Sequence, residues 1–333
     1  MPRLRRVSPH SPGWTRRRAG RGFSYRDERG EPLPLEQVER LRALAIPPAW
    51  REVWICPLEN GHLQAVGTDA AGRRQYLYHP AWRQRRDHLK YQRVARAARL
   101  LPAVRRRVGR DLRQPGMPLE RVTALAVRLL DEGYFRIGND VYADAHGSFG
   151  LTTLLRRHVR RQGKALRFRF TGKSGIEHEV TISGTEVLRA LRMLRTRKDD
   201  SERLLAHRTS GGWVELTSTA VNAYLATLFD TEFTAKDFRT WHATVLAAES
   251  LACSPEPGDT RVSRGRAIRA AVNDVAGYLG NTPAVARASY IDPRILDSYE
   301  TGTTIDPAVA RAHRGSRGRA AAEAAVLALL DEV

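Results

Sequence analysis

Ile268, Val272, Val275 and Leu279 recur at helical spacing, and the glycine that follows them ends the pattern. A helix with one buried face therefore runs into Gly280, which supplies the left-handed residue that helix ends favour. Thr282-Pro283 then restarts a helix, with threonine as N-cap and proline at the first helical position. Residues 273–290 must fold as a helix, a tight corner and a short second helix that carries Tyr290 near its end. Such a break can hold a tyrosine at a surface instead of in a core. Its hydroxyl is then either in water or used in chemistry, and only the rest of the chain can decide.

At 333 residues the chain is long enough for two domains, each with its own core. A net charge of +20, mostly arginine and spread over the length, calls for a polyanionic partner. Arginine pairs with phosphate through two hydrogen bonds at once, so nucleic acid leads and an anionic membrane comes second. No apolar run is long enough to span a bilayer, and no signal peptide opens the sequence. Cys56 and Cys253 form no CxxC or zinc-spaced cluster, which suits a reducing, cytoplasmic setting.

Residues 1–22 carry many arginines, no acids, and Pro, Ser and Gly, a composition that predicts a disordered or loosely docked basic arm. A transit peptide fits the same composition. Residues 23–90 predict a small β-rich domain, with strands near 23–25, 53–56, 62–66 and 74–78 and a short helix at 35–44. In the last strand Arg74, Tyr76 and Tyr78 fall on one face and Gln75 and Leu77 on the other. That face suits a nucleic-acid groove, and Arg73 precedes it. Residues 91–333 predict a mainly helical domain, with helices at 91–108 (broken at Pro102), 119–130, 185–195, 218–229 and 235–252. A β-hairpin over 165–182 interrupts them and puts Lys173 at its tip. The segment 253–259 reads as a loop. Beyond Tyr290 the pattern predicts a polar linker and a terminal helix at 320–330.

Further stations stand out. Arg136 lies between Phe135 and Ile137 and is expensive to bury without an anion or an internal salt bridge. Arg239 falls near a helix N-terminus, where anions are also favoured, and Lys236 precedes it by one turn.

The motifs GRRQYLYHP (72–80), GYFRIGN (133–139), FGLTTL (149–154), FTGKSG (170–175), KDFRTW (236–241) and GNTPAVARASY (280–290) stand in one order and at one spacing. In this the sequence resembles the type IB DNA topoisomerases of the poxvirus and bacterial kind, from about Val53 to about Ile295. The resemblance implies an α+β fold, in which a β-rich N-terminal domain and a helical catalytic domain close as a clamp on duplex DNA. One clamp on one duplex implies a monomer, associated with the nucleoid. Tyr290 matches the nucleophile, Arg136 and Arg239 the catalytic arginines, and Lys173 the general acid. DNA contacts would come from Arg73, Arg74, Gln75, Tyr76, Tyr78 and Lys236. The family's histidine position holds Asn281, which can give the same hydrogen bond to a phosphate oxygen but carries no charge. Asn281 can equally be a plain helix cap, and the two roles are compatible.

The residue types fit that chemistry. Fixed arginines stabilise charge gathering on a phosphodiester under attack, and cationic neighbours help a phenol lose its proton. Neither a paired-carboxylate metal site nor a phosphate-binding glycine loop is found, so neither metal nor ATP is expected as cofactor. A tyrosine recombinase shares this pocket but usually has histidine where Lys236 stands. A non-enzymatic DNA- or RNA-binding protein would rest on charge alone.

Overall fold

The computed structural model describes residues 3–138, 147–255, 260–312 and 316–332. Asn139 of GYFRIGN and residues 256–259 of the expected loop lie outside them. The chain divides into two compact units, Met1–Lys90 and Tyr91–Val333.

The first unit is one antiparallel sheet with a short helix. Strands β1 (Trp14–Ala19), β2 (Gly22–Arg26), β3 (Arg51–Ile55), β4 (Leu63–Thr68) and β5 (Arg74–Tyr78) take the order β2-β1-β3-β4-β5. Helix α1 (Leu35–Ala43) contributes Leu41 to a core of Tyr25, Ile46, Val53, Ile55 and Ala65. The arm expected over residues 1–22 is therefore wrong for its second half, because β1 pairs with both β2 and β3. Composition misled because an arginine can be buried when it ties up carbonyls. Arg16 is only 9 % exposed and donates to the carbonyls of Ile46 and Pro47 at 2.8 Å and of Trp50 at 2.9 Å. Its guanidinium also lies 4.2 Å from the Phe23 ring centroid.

Helix α2 (Pro80–Ala98) carries the chain across the divide. The second unit holds α3 (Leu101–Asp111) and α4 (Leu119–Gly133), then a sheet of β6 (Val159–Gln162), β7 (Ala165–Thr171) and β8 (Glu177–Ser183). Helix α5 (Thr185–Thr196), a hairpin of β9 (Ala206–Thr209) and β10 (Gly212–Glu215), and α6 (Ser218–Leu228) follow. Then come α7 (Ala235–Ala252), α8 (Arg261–Leu279), α9 (Pro283–Ser289), α10 (Pro293–Glu300), α11 (Pro307–Arg311) and α12 (Ser316–Asp331). Pro102 sits in the first turn of α3, where a proline costs no hydrogen bond. The 165–182 hairpin gains β6 as a third strand, and the β9–β10 hairpin was not foreseen. The linker expected after Tyr290 is instead two short helices. Asp292 and Asp306 cap them by accepting from the amides of Arg294 and Ala308, each with a proline in the first turn. Among the described residues no helix is long and apolar enough to cross a membrane.

Buried ion pairs fix the terminal helix. Arg105 donates to Asp131 at 2.8 and 3.0 Å and to Glu323 of α12 at 2.6 and 2.7 Å. Arg319 of α12 donates to Asp131 at 2.7 Å and to Glu323 at 3.2 Å. Burial alone would raise the Asp131 carboxyl, but Arg319 and Arg105 outweigh it and hold it below the usual range. Its contribution is therefore complete above the unfolded carboxylate's pKa of about 3.9 and is lost as pH falls below that. Without Asp131 only Glu323 faces the two part-buried guanidiniums, leaving one positive charge uncompensated, so Asp131→Ala is expected to destabilise the second unit by about 3–5 kcal/mol. Denaturant titration at neutral pH measures this; a change under about 1 kcal/mol would mean that water replaces the carboxylate.

Candidate active site

Helix α4 ends in a conformation that side chains rarely adopt: Tyr134 is left-handed, at φ 57° and ψ 23°. Its ring lies 4.6 Å from His242 and 4.5 Å from Tyr278 (centroid distances), packing that holds the strained turn. The turn delivers Arg136 to the corner after α8. There Gly280 is left-handed at φ 60° and ψ 49°, and the Asn281 amide reaches back to the Ala276 carbonyl at 2.9 Å, closing the helix as expected. An Arg136 Nη2 donates to Asn281 Oδ1 and, at 3.4 Å, to the Gly280 carbonyl. Arginine can only donate, so the amide oxygen of Asn281 must face it. Among the described residues the Nδ2 of Asn281 then has no hydrogen-bond partner, and neither has Arg136 Nε. Asn281 thus ends the helix with its backbone and presents a donor with its side chain.

Arg239 sits in the second turn of α7, 3 % exposed. It donates to the Tyr134 carbonyl at 2.5 Å and the Leu279 carbonyl at 2.8 Å, joining the Arg136 turn to the end of α8. Among the described residues its Nε has no hydrogen-bond partner. Burial and the neighbouring Arg136 lower its guanidinium to about 10, so it stays charged at neutral pH. Nearby Asp237 does not neutralise the pocket: it accepts from Thr234 at 2.8 and 2.9 Å as a helix cap and pairs with Arg93.

Tyr290 ends α9, whose start is capped by the Thr282 side chain on the Val285 amide. The ring is buried, 7 % exposed, where the break alone suggested a surface position. The Arg239 guanidinium carbon lies 5.3 Å from its centroid. Burial would raise the phenol, but Arg239 first, then Arg136, and lastly Lys236 outweigh it and leave it below a free tyrosine. Lys236 itself is exposed, one turn before Arg239.

The structure thus gathers Arg136, Arg239, Asn281 and Tyr290. Among the described residues no hydrogen bond joins Lys173 to them. It stands exposed on the turn between β7 and β8, next to Gly172, which does adjoin the pocket. The FGLTTL segment, which sequence reasoning left without a task, holds two of these parts in place. Its Leu151 and Thr152 amides donate at 2.8 Å to the carbonyls of Arg136 and Ile137, and the Phe149 amide donates at 2.8 Å to Thr171 at the end of β7. No side-chain chemistry marks such a backbone clip in a sequence.

In the first unit β5 alternates as expected, with Arg74, Tyr76 and Tyr78 exposed and Gln75 and Leu77 half-buried. The Tyr76 and Tyr78 rings stack at 6.2 Å. Arg73 and Gln75 are held by Asp69 at 2.8–2.9 Å, and the amide and side chain of Arg73 lower that carboxyl to about 2.

The sequence matches the family model of the eukaryotic DNA topoisomerase I catalytic core over residues 79–305. The chain belongs to the type IB DNA topoisomerases. Residues 22–69 match the N-terminal domain of bacterial DNA topoisomerase IB. The chain is 28 % identical over 306 residues to DNA topoisomerase 1B of Acanthamoeba polyphaga mimivirus, covering 86 % of this chain and 88 % of the viral one. It is 23 % identical to DNA topoisomerase 1 of Rabbit fibroma virus, covering 70 % of each. The figure is 19 % for DNA topoisomerase 1B of Vaccinia virus (strain Copenhagen), over 72 % of this chain and 74 % of the relative. As a type IB topoisomerase the chain is an enzyme.

Proposed function

We propose that this topoisomerase relaxes supercoiled duplex DNA through a transient 3′-phosphotyrosine on Tyr290, needing neither nucleotide nor metal. The observation that carries the reading is a set of buried donors near Tyr290 that have no hydrogen-bond partner among the described residues: Arg136 Nε, Arg239 Nε and Asn281 Nδ2. Buried donors in native proteins are nearly always satisfied, so three together point to an anion with several acceptor oxygens. A phosphodiester in attack is such a group. Tyr290 Oη bonds to phosphorus, its proton passes to water, and the bond to the 5′ oxygen breaks. Arg136 and Arg239 stabilise the non-bridging oxygens, Asn281 adds a neutral hydrogen bond, and Lys173 gives the departing 5′ oxygen its proton. The phosphotyrosine keeps the bond energy while the strand swivels, and the 5′ hydroxyl then reverses the step. We assign duplex contacts to Arg73, Arg74, Gln75, Tyr76, Tyr78 and Lys236, and propose a monomer associated with the nucleoid.

The deciding assay is plasmid relaxation with EDTA and without nucleotide, followed by a denaturing gel of 5′-labelled duplex. Positive and negative supercoils should both relax, with the label retained on the protein. Strict need for magnesium or nucleotide, or label on the released strand, would overturn the reading. Resolution of a four-way junction would instead favour a recombinase.

Binding is expected to weaken steeply with salt, because each arginine–phosphate contact releases counterions. Arg74→Ala should lower affinity and make the salt slope shallower by roughly one. Fluorescence anisotropy across a salt series checks this. An unchanged slope would remove Arg74 from the interface.

A further inference from the structure

His178 faces Phe170 across the β7–β8 ladder and stacks on it, with centroids 5.3 Å apart and planes at 19°. Its ring also fills the space over two glycines from separate segments. A Cβ on Gly172 would lie 2.4 Å from its Cδ2 and 2.6 Å from its Nε2. A Cβ on Gly280 would lie 2.5 Å from its Cε1 and 3.1 Å from its Nε2. Gly172 immediately precedes Lys173, and Gly280 immediately precedes Asn281. One imidazole is therefore seated between the backbone that carries Lys173 and the backbone that carries Asn281.

The β7–β8 ladder, with Thr171 opposite Glu177, closes the Lys173 turn at its base. Lys173, Ser174 and Gly175 are exposed, and Ser174 is left-handed at φ 66°. The Gly172 amide bonds within the turn, to Ile176 at 2.7 Å, and Phe149 grips only the preceding Thr171. His178 lines the same cavity as Arg136 and Arg239. Burial, then the charges of Arg239 and Arg136, hold the ring below the usual histidine range, so it is neutral at neutral pH. The strand pairing of its backbone and the packing of its ring define its place.

We propose that His178 is a positioning residue that docks the Lys173 turn on the Gly280–Asn281 corner, and so sets the reach from the acid to the departing 5′ oxygen. This rests on Lys173 being that acid. Misplacing a catalytic group by about 1 Å costs roughly 10²-fold, and the penalty should vanish when the leaving group needs no proton.

The test is single-turnover cleavage of pre-bound duplex with either oxygen or sulfur at the bridging 5′ position. Lys173→Ala should be slow on the oxygen strand and near wild type on the sulfur strand, because a thiolate leaves without a proton. His178→Ala should show the same pattern, about 10²-fold slow on oxygen and recovered on sulfur. Gly172→Ala, which pushes a methyl into the ring, should reproduce it with His178 in place. Lys173→Ala/His178→Ala should be no slower than Lys173→Ala, since the second residue acts through the first. Recovery on sulfur also shows that the variant is folded; should His178→Ala fail to fold, Gly172→Ala decides by the same two arms. If Lys173→Ala recovers and His178→Ala does not, or if His178→Ala cleaves oxygen strands at the wild-type rate, the positioning role is overturned. If Lys173→Ala stays slow on sulfur, the acid assignment itself falls, and this role with it.

Discussion

Tyr290→Phe is expected to bind duplex DNA nearly as well as wild type while forming no covalent adduct and relaxing no plasmid. The substitution removes one hydroxyl and leaves the buried ring, with the Arg239 guanidinium 5.3 Å from its centroid, in its packing. Binding should lose at most the ~1 kcal/mol of a single neutral hydrogen bond, under tenfold in Kd. Catalysis should fall to background, because the hydroxyl removed is the one that Arg239 and Arg136 hold below its ordinary value. The control is Tyr278. It is 56 % exposed on α8, with its ring against Tyr134. Residual adduct in Tyr290→Phe that disappears in Tyr278→Phe/Tyr290→Phe would move the nucleophile to Tyr278. Anisotropy and a denaturing gel on one preparation give both readouts.

The corner that carries this prediction was legible because it is built from local signals. Gly280, Thr282 and Pro283 each have one strong backbone preference, and all three agree. The alternation of β5 was legible for the same reason. What stayed hidden depends on groups that sequence does not display. Arg16 read as part of a loose arm because its three carbonyl acceptors lie 30–34 residues away. The FGLTTL clip works through amides, which every residue has. Asp292-Pro293 and Asp306-Pro307 do carry the Thr282-Pro283 signal, and α10 and α11 were missed only because their apolar runs are short. His178 had no motif to announce it; its place becomes visible only when Gly172 and Gly280 are close in space.

Arg239 separates what charge does in this pocket from what geometry does. Arg239→Ala should slow cleavage by about 10²–10³-fold, the usual loss for one preorganised donor to a developing oxyanion, and should do so on oxygen and sulfur strands alike. Asn281→Ala removes a neutral donor and should lose less. Arg239→Lys keeps a charge but not the planar fork, which grips the Tyr134 and Leu279 carbonyls while leaving Nε for a ligand. It should therefore recover little of the rate. The pH profile adds an independent readout. Arg239 is the largest of the charges that hold the Tyr290 phenol below its ordinary value against burial. Without it the phenol rises, so a smaller fraction is ionised at a given pH. The cleavage rate of Arg239→Ala should then keep climbing with pH through the range where wild type has levelled off. Profiles that superimpose after scaling would mean that Arg239 acts on the phosphate alone, with activation of Tyr290 left to Arg136, Lys236 and water.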